Sequence, residues 1–272
     1  CSTINLLQKN MSRKRNNVCI IIYGIGRGLE ITEGPINKLI SEIYKYHEVD
    51  VNYFINDQRY ISNERTGEFG ELSQIPKDIF HSAKKYYLKS EIEPYNYVLD
   101  ELRKHHDSHR DSYKSYHNLI LQLRLLDYAN AVIDFTKFDY AVCLRDDIFF
   151  EKINLNWPKI FRLASSHFFT TSYGWNKGVG DRFFVANVHI TQKCLGRISN
   201  TIEFARKYDF VTGEQLLNFV LKKECIAIAS IRIKLFRIRF DLQFHRERHF
   251  IPLWRPSEAW RVMKSIISFK VF

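Results

Sequence analysis

Glycine and proline are scarce, 11 and 6 among 272 residues. That excludes collagen-like repeats, flexible linkers and low-complexity tracts, and no fixed-period self-similarity marks a solenoid. Cysteine is also sparse. The 5 present are an odd number with no close-paired spacing, which excludes a disulfide framework. Cys19, Cys143 and Cys225 lie in apolar runs and read as small buried hydrophobes. A reducing, cytoplasmic setting fits them. No apolar run reaches the roughly 18 residues that span a bilayer, and no secretory signal precedes the first apolar run. Acidic residues are outnumbered, 30 against 41 Lys and Arg, for a net charge of +11. Such a surface favours polyanions: nucleic acid, anionic lipid or phosphorylated small molecules.

What is present reads as one large α/β domain. Residues 1–15 are expected to be an extraneous or disordered leader, with Met11 as the natural start. Residues 16–256 form the expected domain. Residues 257–272 form an expected amphipathic helix, with Trp260, Met263, Ile266 and Ile267 on one side, docked on the domain or lying on an anionic membrane. Val18-Cys19-Ile20-Ile21-Ile22-Tyr23 is a continuous apolar strand, as in a parallel sheet covered on both faces. Gly24, Gly26 and Gly28 follow it, where a backbone can turn tightly or approach a ligand. Pro35 is placed in the first turn of a helix carrying Ile36, Leu39, Ile40 and Ile43. Residues 49–55 read as a second strand, so a right-handed crossover is predicted. Residues 58–115 read as polar and irregular, a lid or substrate loop, with His105, His106, Asp107 and His109 in solvent.

The chemistry gathers further on. A helix is predicted from Asn118 to Asp134, with Asn118, Gln122 and Arg124 in its first turns, where they could meet a polyanion. It leads to a buried strand ending in Arg145-Asp146-Asp147. Two carboxylates beside a buried strand need compensation, and a divalent cation bridging phosphate oxygens would supply it. A turn held by a salt bridge from Arg145 is the alternative. Gly178-Val179-Gly180-Asp181 forms a shaped loop with an aspartate at a strand mouth. Thr212 is expected to cap a helix whose first turn holds Glu214. Ile231, Ile233 and Leu235 alternate with Arg232 and Lys234, then the phase slips and Arg237 and Arg239 continue the charge, as at a β-bulge.

In their order and spacing, the stretches 18–27, 118–147, 178–184 and 213–217 resemble nucleotide-sugar-dependent glycosyltransferases of the GT-A type, with an Arg-x-Asp version of the acidic motif. The resemblance implies a Rossmann-like, mixed but mostly parallel sheet flanked by helices. It implies a nucleotide-sugar donor and a glycan or glycolipid acceptor, with peripheral membrane association as an option. By resemblance, Asp147 with Asp146 binds Mn²⁺ or Mg²⁺, and His245 or His249 supplies a third ligand. Gly24, Gly26, Arg27, Gln122, Arg145 and Asp146 border the donor. Asp181 and Glu214 are the candidates for acceptor binding or general base. Two other classes compete. A nucleic-acid-binding protein would use Arg232, Lys234, Arg237 and Arg239, but no nucleic-acid motif accompanies them. A metal-dependent phosphoesterase would need more Asp and His ligands than the sequence assembles.

Overall fold

The computed structural model describes residues 15–246, apart from 59, 64–67, 73–74, 77, 81, 152, 154, 172–177, 232, 234 and 240–243. The leader, the C-terminal helix, Trp175, His249, Arg232 and Lys234 therefore lie outside the described residues.

In chain order the strands are β1 (Asn17–Gly24), β2 (Glu48–Asp57), β3 (Tyr60–Asn63), β4 (Glu68–Glu71), β5 (Lys84–Lys89) and β6 (Tyr140–Arg145). They continue with β7 (Ile148–Phe150), β8 (His167–Thr170), β9 (Phe183–Asn187), β10 (Ala227–Ser230), β11 (Leu235–Ile238) and β12 (Phe244–Arg246). The helices are α1 (Leu29–Tyr44), α2 (Asn96–Leu102), α3 (Lys114–Val132), α4 (Trp157–Ala164), α5 (Val188–Leu195), α6 (Thr201–Tyr208) and α7 (Gly213–Lys223). Seven strands form the central sheet in the order β10-β8-β9-β6-β1-β2-β5. Only β9 runs antiparallel to its neighbours β6 and β8; the other pairs are parallel. This is the expected α/β architecture, a mostly parallel sheet flanked by helices and compatible with a Rossmann-like fold.

Strand β1 explains the layering. Val18, Ile20 and Ile22 face one apolar cluster, shared with Leu39 and Ile43 of α1 and Trp157 and Phe161 of α4. Cys19, Ile21 and Tyr23 face the other, shared with Leu126 and Ala129 of α3 and Leu217 and Leu221 of α7. A strand alternates its side chains, so only a sheet covered on both faces accepts such a run. These six side chains are at most 1% exposed. At about 2 kcal/mol for each large apolar side chain, their burial rivals the net stability of a whole domain.

Four expectations change. Residues 58–115 are not an irregular lid, for they hold the β3–β4 hairpin, strand β5 at the sheet edge, and α2. Pro35 sits inside α1 rather than in its first turn, because the helix already begins at Leu29, after Gly28. Helix α3 begins at Lys114, which puts Gln122 in its third turn and removes it from the helix start. Cys225 is exposed, not buried, in the turn after α7.

Candidate functional site

Strand β1 sits between β2 and β6, so the chain departs from it to opposite sides, and the carboxyl ends of β1 and β6 meet at this switch point. Open α/β sheets bind ligands in the crevice outside such ends. Tyr23 pairs with Arg145 in register, and the Asp146 amide donates to the Tyr23 carbonyl at 3.0 Å. The loop after β1 and the Arg145-Asp146-Asp147 turn are thereby pressed together. Thr32 of α1 donates to the Asp146 carbonyl at 2.7 Å, and the Ile238 amide donates to the Asp147 carbonyl at 2.9 Å.

Both aspartates are 1% exposed, yet their surroundings differ. The Asp146 carboxylate accepts from the Gly26 amide at 2.7 Å and the Tyr53 hydroxyl at 2.9 Å through Oδ2. A Cβ on Gly24 would come within 1.9 Å of Asp146 Oδ1, so Gly24 makes room for this side chain. Burial and the neighbouring Asp147 charge push the Asp146 carboxyl up to about 7, against those two hydrogen bonds. Asp147 goes the other way. Burial alone would raise its pKa, but the guanidiniums of Arg145, Arg237 and Arg27 hold it well below the usual carboxylate range. Arg145 binds it with both ends of the fork, Nε to Oδ1 at 2.9 Å and Nη2 to Oδ2 at 2.7 Å. Arg27 Nη2 and Arg237 Nε reach the same Oδ2 at 2.5 and 3.1 Å. Glu68 of β4 accepts from Arg27 at 2.7 Å and from Arg239 at 2.8 Å.

A chain of contacts leads on to the predicted acceptor side. Arg145 Nη1 reaches Gln122 Oε1 at 3.4 Å, and Gln122 Nε2 donates to Asp181 Oδ2 at 3.0 Å. The Asp181 carbonyl accepts from the Tyr23 hydroxyl at 2.6 Å. Arg197, wholly buried, lies 3.6 Å from Asp181 Oδ2. Gly213, at the start of α7, stands where a Cβ would be 2.9 Å from that same oxygen. Thr212 caps α7 as expected, accepting from the Gln215 amide. Glu214 follows, 3.5 Å from Arg182, and its side chain is 20% exposed. Gly24, Gly26, Arg27, Gln122, Arg145, Asp146, Asp147 and Asp181 thus fall into one network, with Glu214 on its rim.

His245 is in β12, opposite Arg237, but its side chain lies outside the described ones. Among the described residues, no group of three or more His, Cys, Asp and Glu side chains is placed to hold a metal ion. Nor does the aspartate pair itself fit Mn²⁺ or Mg²⁺, which need carboxylate lone pairs turned toward them. Asp147 Oδ2 already accepts from three guanidiniums and Oδ1 from a fourth N–H. Asp146 turns Oδ2 to Gly26 and Tyr53, and Oδ1 toward Gly24.

Reasoning from sequence missed Glu68, Arg182 and Arg197. It took Arg237 and Arg239 as part of a basic stripe, for nucleic acid or as a groove for nucleotide sugars or a lipid-linked acceptor, without seeing that both are partly buried in ion pairs. Arg124 donates to the carbonyls of Lys89 and Glu91, a structural role. It lines a separate cavity of about 450 Å³ beside Tyr87, Tyr95 and Tyr128, which shares no lining residue with the arginine cluster. Asp107 accepts from the amides of His109, Asp111 and Tyr113, organising its own loop. Among the described residues no helix is long and apolar enough to cross a membrane. No protein-family model matches the chain, and neither does any curated protein.

Proposed function

We propose that this chain is a glycosyltransferase that moves a sugar from a nucleotide-sugar donor to a hydroxyl of a glycan or glycolipid acceptor. The observation that carries the proposal is the cationic cluster at the switch point. Arg27, Arg145, Arg237 and Arg239 converge there on two carboxylates, Asp147 and Glu68. Guanidiniums recognise phosphate oxygens with directed hydrogen bonds, and the loop beginning at Gly24 is where a nucleotide would border the sheet. The GT-A-like order of motifs supplies the chemical class, and the surplus of basic residues would draw an anionic donor inward.

In this reading the donor diphosphate lies against the arginines. The acceptor hydroxyl oxygen attacks the anomeric carbon, and the bond from that carbon to the diphosphate oxygen breaks. Its electron pair leaves with the nucleoside diphosphate. The hydroxyl proton passes to a carboxylate, and Glu214 is the better candidate because it is the more open to solvent. Asp181, held between Gln122 and Arg197, positions the acceptor side. A cytoplasmic setting, with peripheral attachment where the acceptor is a glycolipid, belongs to the same proposal.

Thermal stabilisation by a panel of UDP-, GDP- and CMP-sugars tests it. One donor should raise the melting temperature more than its free sugar does. No shift with any donor, beside a clear shift with an oligonucleotide, would sink the transferase reading and favour nucleic-acid binding.

A further inference from the structure

We propose that the Arg27, Arg145 and Arg237 cluster takes the place of a divalent cation at this site, with Arg145 and Arg237 holding the departing diphosphate directly and the buried Arg27 adding its charge from behind. This inference rests on the transferase reading and deepens it. Loss of a nucleoside diphosphate needs positive charge at the oxygen that takes the electron pair. In metal-assisted transfer a cation held by carboxylates supplies that charge. Here the carboxylate that would hold it is already saturated by guanidinium donors.

The charge balance points the same way. Among the described residues, four guanidiniums face Asp147 and Glu68, a surplus of two positive charges, equal to one divalent cation. Asp146, partly neutralised by its burial, removes at most one of them. Arg237 carries the most informative geometry. It meets Asp147 through Nε alone, so among the described residues its two terminal nitrogens have no protein partner. Its side chain keeps 17% exposure, as does that of Arg145, so both reach the surface of the crevice. Burial and the nearby Arg145 charge push the Arg237 guanidinium down to about 9, against the attraction of Asp147. A cation crowded by cations in a buried place is relieved by an incoming anion. Asp147 then acts as a positioning residue, gathering three guanidiniums from α1's leading loop, β6 and β11 onto one point.

The test uses the full chain and measures binding of pyrophosphate, UDP and GDP by calorimetry, in excess EDTA and again in Mn²⁺. Pyrophosphate and at least one nucleotide should bind in EDTA, with affinity changed less than ~threefold by Mn²⁺. Arg237→Gln should weaken that binding at least ~tenfold, and Arg237→Lys should recover part of it, while both variants melt near the parent temperature. Binding that requires Mn²⁺ and vanishes in EDTA would overturn this inference and leave the transferase reading standing. Absence of binding in both conditions would overturn both. Arg237→Gln that is folded and binds like the parent would also overturn the inference.

Discussion

Two carboxylate clusters share the carboxyl edge of the sheet and are wired in opposite ways. Around Asp147 the contacts are short, 2.5 to 3.1 Å, and three guanidiniums converge on one side chain. Around Asp181 and Glu214 the guanidiniums stand further off, Arg197 at 3.6 Å from Asp181 and Arg182 at 3.5 Å from Glu214. The first cluster has cationic surplus and suits an anion. The second shows looser pairing among the described residues, and in the proposed reading it takes the hydroxyl-bearing acceptor. On the proposed reading these are the donor and acceptor sides, and Gln122 joins them physically.

The contrast can be broken most forcefully at Asp147. Asp147→Ala leaves Arg27, Arg145 and Arg237 facing one another in a buried place. A loss on the order of 3–5 kcal/mol is expected, read by urea unfolding, whereas Asp181→Asn should cost on the order of 1–2 kcal/mol because Gln122 keeps an acceptor. A difference in the other direction would refute the assignment of the two environments.

The next effect is in pH. The Asp146 carboxyl titrates at about 7 in the fold and near 3.9 when unfolded. A group with a raised folded pKa stabilises fully below its unfolded value and loses that contribution as pH climbs through the folded one. The parent should therefore lose stability relative to Asp146→Asn between about pH 4 and pH 7, by a few kcal/mol. Parallel stability curves for parent and variant over that window would contradict the burial argument.

Glu214→Gln tests the second cluster. On the transferase reading, turnover should fall about a hundredfold, roughly 3 kcal/mol in the barrier, with the donor KM little changed. A loss confined to donor KM would move Glu214 to the donor side. The smallest effect is expected at Gly24. Gly24→Ala drives a methyl to 1.9 Å from Asp146 Oδ1 and should cost about 1–3 kcal/mol in denaturant unfolding. Pairing it with Asp146→Ala should recover part of that cost, because the clash is between those two positions.

Much of the frame was legible because it is local. Residues 18–23 announce a covered central strand, and α1 and α7 show their buried faces by spacing. Strand β5 was not legible. Lys84-Lys85-Tyr86-Tyr87-Leu88-Lys89 reads as a polar loop because an edge strand buries little, and its packing depends on Tyr86 stacking on Phe54 at 4.6 Å. The site divides along the same line. Arg145, Asp146 and Asp147 are contiguous and stood out. Their compensation did not, because Glu68 comes from a hairpin inside a polar stretch and Arg197 from a short 3₁₀ turn. Arg237 and Arg239 share the alternating look of any basic surface strand, and nothing nearby in sequence states that their partners are Asp147 and Glu68.

That distance has a consequence in time. Arg237 and Arg239 reach back 90 and 171 residues to their carboxylates, and contacts of such separation close late. The sheet can pair β1, β2 and β6 before β11 arrives, but until then Asp147 lacks Arg237 and Glu68 lacks Arg239. During refolding, recovery of pyrophosphate binding should trail recovery of far-ultraviolet circular dichroism. Simultaneous recovery would mean that β11 docks with the first strands. On the proposed reading, a nascent chain therefore gains its anion affinity only once β11 has docked and brought Arg237 and Arg239 to their carboxylates.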